Sequence, residues 1–185
     1  MDRRIAVKNI ALLLGLVVSG STVLSLFNAC STDQKKIKGE FFDAADMYIV
    51  ESLVDIILPI SSSIGAKELN VSQFVDKMCK YVLREVNQKE IRLGIEEFRK
   101  KFEKITDKIS TEGNREDYSL MIKTYFDISH KEQKIIFEML GNQNVSEELK
   151  ATYHLYKFLT TIREYTLLGY FTSKAIIDSQ VVSDI

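Results

Sequence analysis

From Phe41 onward the apolar residues recur at intervals of three and four, the period of helices buried on one face. Ile49, Leu53, Ile56 and Ile57 share a face, with Asp43 placed to cap the helix and Asp46 in its first turn. Pro59 ends that helix, because the residue before a proline disfavours the helical region. Ile60 to Asn70, with three serines and Gly65, reads as a loop. A second helix begins near Asn70 or Ser72 and buries Val71, Phe74, Val75, Met78, Cys79 and Val82. The third is the most regular: Ile91, Ile95, Phe98, Phe102, Ile105 and Ile109 are spaced 4, 3, 4, 3 and 4, a seam that must lie along other helices. Ser110 to Asp117 is a polar connection, and Tyr118 to Phe126 another amphipathic piece. Ser129-His130-Lys131-Glu132 is a capping box, in which the Ser hydroxyl takes an amide of the first turn and the Glu reaches back. It opens a helix through Leu140 that Gly141-Asn142 ends. From Ser146 the pattern runs helically through Leu149, Tyr153, Tyr156, Leu159 and Ile162 to Leu168, where Gly169 interrupts it. No convincing period-2 alternation occurs, so the fold class is all-α, a single bundle of about five or six helices over residues 41–185.

The first thirty residues follow a different pattern. Arg3, Arg4 and Lys8 form a basic start, and no charge then occurs until Asp33. A basic region followed by an apolar stretch is an export signal. Ser19, Gly20, Ser21 and Thr22 soften the stretch, and with the paired arginines this resembles a twin-arginine signal, although Asp2 and Ala6 depart from its consensus. Leu26-Phe27-Asn28-Ala29-Cys30 resembles a lipoprotein box with Cys30 as the lipidation candidate; Phe27 and Asn28 depart from it. The alternative is an uncleaved anchor, since about 18 apolar residues just span a bilayer. Either way the protein is expected on the periplasmic face of a membrane. Residues 31–40 read as a polar tether.

Composition then removes several kinds of function. The 185 residues carry 25 basic and 26 acidic side chains, a net charge of −1, so there is no basic field for nucleic acid. That figure averages a basic leader over an acidic body, because residues 1–30 carry +2 and the remainder −3. Two cysteines build no disulfide framework, and neither has the CxxC or CxxCH spacing of a redox or haem site. A di-iron bundle needs Glu three residues before each His, yet Asp127 precedes His130 and Ala151 precedes His154. Ser61, Ser62 and Ser63 lie near Lys67, but a Ser-x-x-Lys pair would need Lys where Ile64, Gly65 and Ala66 stand, so they read as loop residues. Cys79, on an apolar face, reads as a core residue. The aromatic C-terminal region with Tyr153, Tyr156, Tyr165, Tyr170 and Phe171 suits either a core or a subunit interface.

The ends of the body carry a resemblance. Phe41-Phe42 before a helix ending Asp55-Ile56-Ile57-Leu58-Pro59, a Ser-rich loop with Gly65-Ala66, and the helix start Val71-x-x-Phe74-Val75-Asp76 resemble the gluconate 2-dehydrogenase subunit 3 family. The closing Thr166-Leu167-Leu168-Gly169-Tyr170-Phe171-Thr172-Ser173 is similar to that family's final motif. Ile64 stands where the family usually has Pro, and residues 85–129 carry no matching motif. The resemblance implies a non-catalytic small subunit of a membrane-bound sugar or sugar-acid dehydrogenase, one that binds no cofactor of its own. Its partners would be a large FAD-binding subunit of the glucose-methanol-choline type and often a cytochrome c subunit with haem c. The small subunit would stabilise the flavoprotein and lend it an export signal. No catalytic, cofactor or metal residue is carried over. The candidate partner surface is Leu167, Leu168, Gly169, Tyr170, Phe171, Thr172 and Ser173, together with the Pro59 to Gly65 loop; internal packing is the competing reading of both. A stand-alone envelope lipoprotein that scaffolds other proteins is the alternative function.

Overall fold

The computed structural model describes residues 39–61, 63–142 and 144–182. The predicted export signal with Arg3, Arg4 and Lys8, the lipidation candidate Cys30 and residues 31–38 of the predicted tether lie outside the described residues. The body is helical: α1 (Ala44–Ile57), α2 (Val71–Tyr81), α3 (Glu85–Thr106), α4 (Arg115–Phe126), α5 (His130–Gly141), α6 (Glu147–Thr172) and α7 (Lys174–Val182), with a 3-10 turn at Ser110–Glu112. That is seven α-helices and no strand among the described residues, where the sequence pattern predicts five or six helices. The difference lies at the C-terminus. Gly169 does not break α6; the break comes at Ser173, whose amide and hydroxyl both return to the Tyr170 carbonyl, at 3.2 and 2.8 Å, and set α7 off as a separate piece.

The helix ends follow local chemistry. Asp43 accepts from the Asp46 amide at 2.8 Å and caps α1. Asn114 with Asp117, and Ser129 with Glu132, form reciprocal capping boxes at the starts of α4 and α5. The hydrogen bonds from the Ser129 hydroxyl and amide hold the Glu132 carboxyl below its ordinary pKa. Asp107 closes α3 in the left-handed region at φ 57°, so Ile109 leaves the seam and is 51% exposed, against the expectation that it continues it.

At 26 residues, about 39 Å long, α6 is the axis of the bundle and touches α1, α2, α3, α5 and α7. Its Leu155, Phe158, Leu159, Ile162 and Tyr165 enter a core completed by Ile91, Ile95, Phe98 and Phe102 of α3, Phe74 and Met78 of α2, and Leu53 of α1. Two glycines let the helices close. A side chain at Gly94 of α3 would fall on the His154 carbonyl oxygen and Phe158 Cβ of α6, and one at Gly169 of α6 would meet Phe74 Cδ1 of α2 at 2.6 Å. At these crossings the missing Cβ sets the interaxial distance. Phe98, Phe102, Phe158 and Tyr118 form a ring cluster with centroids 4.9 to 6.1 Å apart, and the Tyr118 hydroxyl donates to the Ser110 carbonyl at 2.9 Å.

The described chain begins at a clamp. Asp76, buried in the middle of α2, accepts from the backbone amides of Glu40, Phe41 and Phe42 at 2.7, 3.0 and 2.8 Å. The Arg92 guanidinium of α3 lies 4.2 Å from the Phe41 ring centre and donates to the Phe41 carbonyl at 3.3 Å, while the Tyr81 hydroxyl donates to Glu40. The segment Glu40–Phe42 that precedes the bundle is therefore seated on α2 and α3.

Candidate functional site

The C-terminal motif and the Ser-rich loop, 100 residues apart in sequence, meet in space. The Tyr170 hydroxyl donates to the Ile64 carbonyl at 2.8 Å and stands 3.4 Å from the Ser63 hydroxyl. The loop closes on itself through Ala66 N–H to the Leu58 carbonyl at 2.9 Å, and it joins α2 through Val71 N–H to the Ala66 carbonyl at 3.1 Å. Within the motif, Thr166, Gly169, Tyr170 and Ser173 are buried, which makes this part of it an internal fastening between α6, α2 and the loop. Leu167, Leu168, Phe171 and Thr172 are half-buried. Beside them the loop presents Ile60, 60% exposed, and Ile64. Replacing Tyr170 by Phe removes the hydrogen bond to the Ile64 carbonyl together with the longer contact to Ser63; a loss of about 1 kcal/mol in urea unfolding is expected, with faster amide exchange confined to the loop.

A second surface was not singled out by the sequence pattern. Helix α5 buries none of its residues, although it carries Ile135, Ile136, Phe137, Met139 and Leu140. Phe137, 68% exposed, and Ile135, 55% exposed, project from it. Between α4, α5 and α6 lies a cavity of about 340 Å³ lined by Tyr125, Phe126, Ile136, Phe137, Tyr156, Arg163 and Glu164 among others. Tyr125 and Tyr156 meet edge to face at 5.7 Å on its floor, and the Arg163 guanidinium lies 5.9 Å from the Phe126 ring centre. Surrounding protein raises the Glu164 carboxyl pKa, with Lys157 and Arg163 opposing the shift, although solvent still reaches that side chain. The capping box that starts α5 was legible; the lack of a covering helix on its apolar side was not.

Titratable groups elsewhere serve the fold. Asp46 pairs with Arg99; burial raises its pKa and the guanidinium opposes the shift. Burial pushes the Cys79 thiol far up, with Asp76 adding to the effect, so the thiolate that a nucleophile needs is suppressed. His130 is exposed, and His154 is half-buried beside Tyr153 with its Nδ1 unbonded. The Tyr153 hydroxyl donates to Glu90 at 3.0 Å, and burial with that neighbouring charge raises its pKa to about 12. Among the described residues no three His, Cys, Asp or Glu side chains stand close enough to hold a metal ion, and no helix is long and apolar enough to cross a membrane.

The geometry thus offers fastenings and apolar surfaces that suit contact with another protein. No curated protein and no solved structure matches the chain. A family model does match, over residues 44–182, from the first residue of α1 to the last of α7. The span takes in the α1 end, the Ser-rich loop, the Asp76 helix and the Tyr170 motif as one unit, and the chain belongs to the gluconate 2-dehydrogenase subunit 3 family, the accessory subunits of a multi-subunit dehydrogenase.

Proposed function

We propose that this chain is the non-catalytic small subunit of a periplasm-facing, membrane-bound, FAD-dependent dehydrogenase of the gluconate 2-dehydrogenase kind. Its tasks are to stabilise the large flavoprotein subunit and to carry it across the membrane on its own leader. The observation that carries this reading is the family match across the whole folded body. Exposed Phe137, Ile135 and Ile60 support it, because apolar side chains of this size are commonly covered by a partner. The Arg3-Arg4 pair supports the export task, since a twin-arginine route passes folded cargo and would let a flavoprotein loaded with FAD cross as a passenger. Cys30 or the apolar stretch before it would then hold the complex at the membrane, with electrons leaving through a cytochrome c subunit where one is present.

The test is co-expression with the FAD-binding subunit, with flavin absorbance followed in membrane and cytoplasmic fractions. Deleting residues 1–30 is expected to leave the flavoprotein in the cytoplasm, and Arg3→Lys with Arg4→Lys to do the same. A full-length chain that purifies from membranes without flavin would overturn the reading. If replacing Cys30 abolished function while the Arg-to-Lys pair changed nothing, the stand-alone lipoprotein scaffold would take its place.

A further inference from the structure

The cavity under α5 contains a carboxylate without a partner. Tyr156, Thr160 and Arg163 recur at four and three residues on α6 and face the cavity, Glu164 stands on its wall, and Leu167 continues the same face one turn on. Aliphatic and aromatic side chains make up most of the remaining wall. Among the described residues Glu164 makes neither hydrogen bond nor ion pair; Lys157 and Arg163 act on it from a distance, and Arg163 is turned toward the Phe126 ring. An acid left open on the wall of an apolar groove complements an apolar segment that brings its own cation.

The course of the chain separates the possible occupants. Gly94 of α3 packs on His154 and Phe158 of α6, and Gly169 of α6 packs on Val71 and Phe74 of α2. At 100° per residue these α6 positions lie roughly opposite Tyr156, Thr160 and Arg163. The leader joins the body at Glu40–Phe42, which are held by Asp76 of α2 and Arg92 of α3, on the side away from the groove. Residues 31–38 span at most about 28 Å when fully extended. A leader fixed in a bilayer would therefore be attached on the α2–α3 side of the body and leave the groove, on the opposite side, open to the catalytic subunit.

We infer that the groove between α4, α5 and α6 seats an apolar segment of the catalytic dehydrogenase subunit, with a Lys or Arg of that segment against Glu164 and Phe137 packed beside it. This rests on the accessory-subunit reading above. The docking is of the helix-in-groove kind, in which side chains one turn apart anchor and a flanking charge fixes the register.

The test uses the full-length chain co-expressed with the FAD-binding subunit and purified from membranes. A photo-crosslinking amino acid in place of Phe137 is expected to join the flavoprotein, within a peptide holding Lys or Arg one helical turn from the linked residue. The same probe in place of Val86, exposed on α3, is expected to give no such product. Phe137→Asp and Glu164→Lys should each lower the co-purified flavin at least tenfold while circular dichroism and the unfolding midpoint stay those of the parent. Crosslinks from position 137 to a second copy, to residues 1–38 of the same chain, or to lipid would overturn the groove assignment. So would parental flavin yields from both variants. A parent chain that brings down no flavin overturns the accessory-subunit reading itself, which separates the two failures.

Discussion

Replacing Asp76 by Ala is expected to cost about 3–5 kcal/mol of stability, read as a lower urea midpoint. The carboxylate accepts three backbone amides at 2.7 to 3.0 Å, and those of Phe41 and Phe42 are buried. Without it the two buried amides either stay unpaired, at about 1–3 kcal/mol each, or the segment swings away to find water. The second course exposes Phe41 and Phe42, which are 4% and 2% accessible, at about 1.5–3 kcal/mol per side chain. Both courses arrive at the same range. Asp76→Asn keeps one acceptor oxygen and should lose about half as much, whereas Lys80→Ala, exposed on the same helix, should change the midpoint little. Hydrogen exchange at residues 40–42 distinguishes the courses, since only the second exposes these amides. An Asp76→Ala protein with the parental midpoint would show that the cradle contributes nothing to the fold.

Gly94→Ala should be the most damaging single-methyl substitution, at about 2–4 kcal/mol in thermal or urea unfolding. In a helix interior the change from Gly to Ala is ordinarily favourable by about 1 kcal/mol. At Gly94 the added carbon would fall on the His154 backbone carbonyl, which cannot move without bending α6, so the α3–α6 crossing must open. Opening it loosens Phe98 against Phe158, whose ring centres are 5.8 Å apart, and the loss of packing outweighs the gain in helix propensity. Gly141→Ala supplies the internal comparison: nothing lies within 4 Å of that Cβ position, and the ordinary sign should return. If both substitutions stabilise, the close crossing is not a feature of the folded protein.

These two sites also mark where sequence reasoning ends. The seam from Ile91 to Phe102 was legible because a helix writes its own period, and its buried face does not depend on what covers it. The capping boxes were legible because both partners lie within three residues. Gly94 was hidden, since the reason for a small residue there is a carbonyl sixty residues away on α6. Asp76 stood in a motif that carried the family resemblance, but its partners are amides 34 to 36 residues earlier, and amides have no identity in a sequence. Gly169 was read as an interruption because glycine is a poor helix former; packing of α6 on Val71 and Phe74 overrides that preference. Of the predicted interface, the half-buried Leu167, Leu168, Phe171 and Thr172 could be proposed from the motif, whereas the groove could not. Its walls come from three helices, and α5 shows that it is uncovered only when the rest of the bundle is in place.

The cradle at Asp76 has a mechanical meaning under the proposed export of the chain by its first thirty residues. Three successive amides converge on one carboxylate, so a pull from before Glu40 meets its hydrogen bond first and those of buried Phe41 and Phe42 behind it. A pull on the leader is delivered to the middle of α2, and through Arg92 to α3, before it reaches the first turn of α1. In an unfolded body Asp76 is nowhere near Glu40, and the same pull meets slack chain. Under that proposal, the stiffness met by a pull on Glu40 would differ between a folded and an unfolded bundle.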